Sequence, residues 1–235
     1  MPKKTPGKLN APPAQAAFDR LPLVSFCKSV KRVFYRLHGL NSATGGPWPP
    51  VFFGHADRTR FDPGQGLGTL YLGGTLAGVL MELFDDRWGP LGDRSRRLTR
   101  TELGRWWVTL VATPAVTVFE ASGPNLSKVG TDLQLLSGDH ATARTWALRI
   151  MSHPAGVDGI LYGSRHDDTQ QNLALFNRAG LLPCLPDAAL LPPAARHGPG
   201  PANAVGPLVC GPAILLRNHP ELKAALQSLE VAVLP

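Results

Sequence analysis

Three charge-handling residues, far apart in the chain, each sit in an apolar context. Arg36 follows Val33-Phe34-Tyr35, Glu82 lies in the amphipathic stretch after Leu70-Tyr71-Leu72, and Ser164 closes Asp158-Gly159-Ile160-Leu161-Tyr162-Gly163. A guanidinium binds oxyanions through its planar fork. A partly desolvated carboxylate stabilises developing positive charge. A hydroxyl both donates and accepts hydrogen bonds. Taken singly, each residue has an ordinary reading: a surface arginine, a solvated helix glutamate, a serine at a strand end. Other chemistries find less support. Gly64-Gln65-Gly66-Leu67-Gly68 lacks the spacing of a dinucleotide fingerprint and no P-loop lysine follows it, so it reads as turn glycines before a strand. Gly163-Ser164 is half of a nucleophile elbow, but His166 stands where the second glycine belongs. The histidines show no metal-binding spacing and no metal is predicted.

The elements that must position these residues can be read from periodicity. Val33 to Tyr35 is an early strand or helix end delivering Arg36. Val51-Phe52-Phe53 and Leu67 to Leu72 are strand candidates, the second bounded by glycines. A helix is predicted from Thr75, its N-cap, to Trp88, with Leu76, Val79, Leu80 and Leu83 as its stripe. Glu82 falls on the flank of that stripe, where a carboxylate looks into a cleft beside the helix. Trp106 to Val111 and Val116 to Phe119 read as a hairpin. Asp139 caps a predicted helix from His140 to Met151. Val157 to Tyr162 is a strand ending at Ser164, and Asn172 to Phe176 is strand or helix. The arginines between 94 and 105 read as a solvated basic loop, with Trp106-Trp107 opening a buried strand.

Outside these elements, residues 1–20 read as a mobile N-terminal arm and 21–186 as the main domain. Residues 187–212 are a Pro/Gly-rich loop and 213–235 a C-terminal helix, opened by an Asn218-to-Glu221 capping box and striped by Leu222, Leu226, Leu229 and Val233. That stripe must dock on the domain or on another chain.

A chain of 235 residues with 43% hydrophobic and 17% charged residues builds a real core. Its net charge of +7 favours anionic partners without choosing among them. Three cysteines are too few and too scattered for a disulfide framework or a zinc site, which suggests a reducing cytoplasm. No apolar run fits a signal peptide or a membrane span. The basic surface leaves a non-enzymatic nucleic-acid-binding protein as a remote alternative, which no recognition motif supports.

The ordered Arg36, Glu82 and Ser164, with Arg60-Phe61-Asp62-Pro63 ahead of Leu70-Tyr71-Leu72 and the segment Asp158 to Arg165, resemble the RES-domain family, named for those three residues. The likeness runs from about Val33 to Pro186. It implies an α/β (α+β) fold related to ADP-ribosyltransferase toxins, with a compact, curved or split β-sheet core and flanking helices. It also implies NAD as substrate, cleaved between nicotinamide and ribose by a toxin that depletes it as a glycohydrolase or phosphorylase. The alternative is a mono-ADP-ribosyltransferase that modifies a protein. By the resemblance Glu82, Arg36 and Ser164 are catalytic, and Arg36, Arg60, Tyr71 and Ser164 bind NAD, with Arg58 and Tyr35 as weaker candidates. A separate antitoxin, often of Xre type, and a homodimer are the implied partners.

Overall fold

The structure is a computed structural model that describes residues 9–53, 59–64, 67–88, 96–164, 167, 169–177, 185–186 and 208–235. In chain order the elements are α1 (Gln15–Phe18), β1 (Cys27–Val30), β2 (Val33–Gly39), β3 (Thr69–Gly73), α2 (Leu76–Trp88), β4 (Arg97–Thr99), α3 (Arg100–Leu103), β5 (Trp106–Ala112) and β6 (Val116–Ala121). Then follow α4 (Gly123–Val129), α5 (Gln134–Ser137), α6 (His140–Met151), β7 (Gly159–Gly163), β8 (Gln171–Phe176), β9 (Leu185–Pro186), β10 (Val209–Cys210), β11 (Ile214–Leu215), α7 (Leu222–Ser228) and β12 (Ala232–Leu234).

Among the described residues, ten strands form one mixed sheet in the order β1-β6-β7-β8-β3-β2-β5-β10-β9, with β11 also on β5. The connectivity forces curvature. β1 and β2 are joined through only Lys31 and Arg32, yet five strand spacings separate them along the sheet. A flat sheet would put them roughly 24 Å apart. The linking residues reach about 11 Å, so the sheet must bend to bring its β1 end back towards β2. The α/β expectation with a curved core is therefore met.

The hairpin expected between β5 and β6 does not form. β5 runs antiparallel to β2 from Val33↔Ala112 to Gly39↔Trp106, while β6 pairs with β1 and, in parallel, with β7. The Thr113 corner holds the ribbon where it divides, donating its amide to the Arg32 carbonyl at 3.0 Å. Asn172 to Phe176 resolves as a strand. β7 and β8 are apolar on both faces: Ile160 and Ala174 join one core cluster and Leu161, Leu173 and Leu175 another. Strands covered on both sides lose the alternation that marks a half-buried strand. Val51 to Phe53 forms no strand; Pro49 and Pro50 precede it, and Val51 and Phe53 pack on the core as an irregular segment.

The ends are more ordered than their composition suggested. Residues 9–20 are not a mobile arm: Leu9 and Phe18 are buried, and the Trp146 indole donates to the Asn10 carbonyl at 2.7 Å. The basic stretch is not a loop over 96–105 but β4 and α3, and Arg96 Nη1 bonds the Leu229 carbonyl at 3.1 Å. Arg94 lies outside the described residues. The C-terminal segment is a 3-10 turn, the two-turn α7 and then β12, which pairs in parallel with β4. The expected capping box is absent because the Glu221 carboxylate accepts from the Tyr35 hydroxyl at 2.8 and 3.0 Å. The apolar face of α7 docks on this domain, where Leu222, Ala225 and Leu226 pack with Leu80, Phe84 and Trp88 of α2. Cys27 is free, and Cys210 is disulfide-bonded, a cross-link the cysteine spacing did not suggest. Among the described residues no helix is long and apolar enough to cross a membrane.

Candidate active site

A cavity of about 560 Å³ opens beside α2, walled by β2, β3, β7, β8 and the segments around 52, 59–62 and 136–140. Its size suits a cofactor-sized ligand. The β3–α2 corner brings Glu82 to it. Thr75 caps the helix as expected, accepting from the Gly78 amide at 3.0 Å and donating to Gln170 Oε1 at 2.6 Å, which ties the corner to the start of β8. The helix buries Leu76, Leu80, Met81, Phe84 and Trp88. Its buried ridge therefore runs at i, i+4 through the two aromatics, and Leu83, expected in the stripe, is exposed at the cavity with Glu82.

Glu82 Oε1 accepts two hydrogen bonds, from Ser164 Oγ at 2.8 Å and from Asn172 Nδ2 at 3.0 Å. Charge-assisted bonds of this kind hold a carboxylate in one orientation. Ser164 is buried and is not among the residues that line the cavity; the hydrogen bond to Glu82 joins its hydroxyl to the cavity wall. Asn172 lines the cavity from β8, paired with Gly73 on one side and Tyr162 on the other. Its Oδ1 is buried without a hydrogen-bond partner. Asn172 belongs to no motif; its signal in the sequence is a lone amide opening an otherwise apolar strand.

Arg36 enters from β2. Its Nη1 donates to the Tyr71 carbonyl at 3.0 Å, and its Nε is buried with no partner. Burial pulls its pKa down to about 10, so it is still a cation at neutral pH. Arg60 lines the same cavity and donates through Nη1 to the Gly138 carbonyl at 2.6 Å. Tyr71 also lines it, but its hydroxyl accepts from the Phe61 amide at 2.7 Å, and burial pushes its pKa up. Tyr162 packs its ring against Phe61 at 5.1 Å; burial first and the Glu82 charge second hold its phenol protonated. Tyr35 is not in the cavity; it engages Glu221 instead, and burial followed by that contact pushes its pKa up to about 12. Arg58 and Arg165 lie outside the described residues. The cavity also holds Asp62, which follows Arg60 in its motif, and His140; neither was expected as a site residue.

The segment preceding Ser164 has structural reasons for its residues. Buried Asp158 accepts from the Thr117 amide at 2.8 Å and fixes β7 beside β6. At Gly159 a Cβ would collide with the Ala174 carbonyl across the strand pair. A curved α/β sheet thus presents, in one cavity, an oriented carboxylate and two arginines. Among the described residues no cluster of His, Cys, Asp and Glu could hold a metal ion.

A protein-family model for the RES domain matches residues 33–197, and the chain belongs to that family. The match runs past the Pro186 at which the sequence likeness ends. No curated protein sequence matches the chain. Among solved structures, the chain is similar to one in the crystal structure of the M. tuberculosis MbcT–MbcA toxin–antitoxin complex, at 14% identity and a TM-score of 0.47, over 66% of this chain and 81% of that one.

Proposed function

We propose that this RES-domain protein cleaves NAD between nicotinamide and ribose, acting as the toxin of a toxin–antitoxin pair. The observation that carries the reading is Glu82. It is fixed by Ser164 and Asn172 at the wall of a cavity that also holds Arg36 and Arg60. Nicotinamide leaves as a neutral base from a cationic precursor, so the C1′–N bond breaks with its electron pair passing to nicotinamide, and no strong acid is required. The ribose develops oxocarbenium character, which a nearby carboxylate stabilises, as in glycoside hydrolysis. Glu82 supplies that charge. Ser164 and Asn172 remove its rotational freedom, so the negative charge is already placed when the cation forms. Arg36 and Arg60, which both line the cavity, take the pyrophosphate through their planar forks. Water or phosphate then attacks C1′ and loses a proton, giving a hydrolase or a phosphorylase; a protein acceptor would make the chain an ADP-ribosyltransferase. The partner in this reading is a separate antitoxin that covers the cavity. Incubation with NAD, with and without phosphate, tests the proposal. Release of nicotinamide supports it, the second product names the acceptor, and intact NAD contradicts it.

A further inference from the structure

Between β2 and β3 two large aromatic rings stand half-exposed, Phe52 at the cavity and Trp48 beside it. Phe52 lines the cavity and is 52% exposed; Trp48 is 49% exposed, and the two ring centroids are 6.4 Å apart with planes tilted by 39°. Single exposed apolar side chains are ordinary, but these two are held outward by buried structure. Val51 is buried and Phe53 packs against the same core cluster, so the residues flanking Phe52 anchor the segment while its ring faces out. Trp48 is pinned through both backbone polar groups. Its amide donates to the Gly39 carbonyl at 2.9 Å, and its carbonyl lies 2.7 Å from His38 Nδ1. His38 is buried and its Nε2 lies 2.9 Å from Thr109 Oγ1, which leaves Nδ1 to donate to Trp48 and Nε2 to accept from the threonine. The turn before it is closed by the Leu40↔Pro47 bridge and by Asn41 N to Gly46 O at 2.7 Å.

We infer that Phe52, backed by Trp48, is a stacking platform for the purine base of the dinucleotide. This rests on the NAD reading above. The cavity offers cations for a dianionic linker and a carboxylate for the scissile ribose. A ligand with two ring systems joined by that linker also needs a flat apolar surface for its second ring. A rigid aromatic held at the rim supplies it without ordering cost, because stacking uses the π-face of any base. The nicotinamide end then lies against Glu82 and the adenine end at the mouth.

Two measurements on the full-length protein test this, with Phe52→Ala, Phe52→Tyr and Trp48→Ala compared to wild type. The first is calorimetric binding of ADP, which carries the base and the diphosphate but no scissile bond. Phe52→Ala should weaken it roughly tenfold or more, Trp48→Ala by less, and Phe52→Tyr should retain it. The second is steady-state turnover of NAD and of nicotinamide mononucleotide, which keeps the scissile bond and lacks the adenosine half. Phe52→Ala should raise KM for NAD, hold kcat, and leave kcat/KM for the mononucleotide unchanged. Unaltered ADP binding in Phe52→Ala, equal losses on both substrates, or a wild type that binds no ADP would overturn the platform. Wild type that binds ADP through Phe52 yet turns over neither substrate would leave the platform standing and refute the reaction.

Discussion

Glu82 carries the heaviest demand in this protein, and its surroundings determine what each neighbour can do. Glu82→Gln preserves an oxygen for Ser164 and Asn172 to donate to, so the fold should persist while NAD cleavage falls by on the order of 10²–10³-fold; nicotinamide release by the purified variant checks it. Ser164→Ala removes one charge-assisted bond, a loss of about 1.5–3 kcal/mol. Because the hydroxyl orients Glu82 Oε1, kcat should fall about 10- to 100-fold with KM little changed. A rise in KM at constant kcat would instead put the serine on the substrate. Arg36→Ala should weaken NAD binding by roughly 2–4 kcal/mol if the guanidinium holds the pyrophosphate, measurable by calorimetry on the inactive Glu82→Gln background. At this scale the sequence was informative about residue type and silent about order. Arg36, Arg60, Tyr71 and Glu82 share one cavity, as their motifs implied. That Ser164 and Asn172 both donate to the glutamate depends on contacts among β7, β8 and α2 that no local pattern encodes.

The β3–α2 corner is the element on which the site turns. Gly73 ends β3 where a Cβ would strike Val79 of α2 and come 3.4 Å from Asn172 Oδ1. Gly73→Ala should therefore push α2 outward, costing about 1–3 kcal/mol and lowering turnover together with the melting temperature. His38 secures the neighbouring turn. Burial lowers its pKa, the Trp48 carbonyl opposes the shift, and the Arg36 charge adds to it. The folded state keeps this imidazole neutral where the unfolded chain protonates it. Its contribution is complete above the ordinary histidine value and is lost as pH falls through that value towards the lowered one. A His38→Gln variant should lose less melting temperature than wild type on acidification over about pH 7 to 5. Elements with strong local signals were legible in the sequence: the Thr75 and Asp139 caps open helices, and the Leu67-to-Leu72 strand overlaps β3, while Val33 to Tyr35, open between strand and helix end, resolves as the start of β2. The hairpin reading of β5 and β6 failed because a four-residue gap says nothing about two strands that each find a long-range partner.

At the scale of the molecule, the described segments outside the family match are part of the fold. Residues 9–20 seal the core beneath Trp146, and α7 covers the back of α2, opposite the side that presents Glu82. Ending the chain before His219 would uncover Leu80, Phe84 and Trp88 and strip Tyr35 of Glu221. Losing Leu222 and Leu226 should cost roughly 4 kcal/mol or more, read as a lower urea midpoint. Local composition hid these roles, because a short helix of ordinary polarity shows its partner only once the sheet has placed α2. The net charge of +7 suits an anionic substrate, but the chemistry is decided at one carboxylate. The most direct measurement is therefore chromatography of NAD incubated with wild type and with Glu82→Gln, with and without phosphate. Nicotinamide released by wild type and not by the variant is the predicted result; equal release by both, or NAD left intact by wild type, would contradict the account.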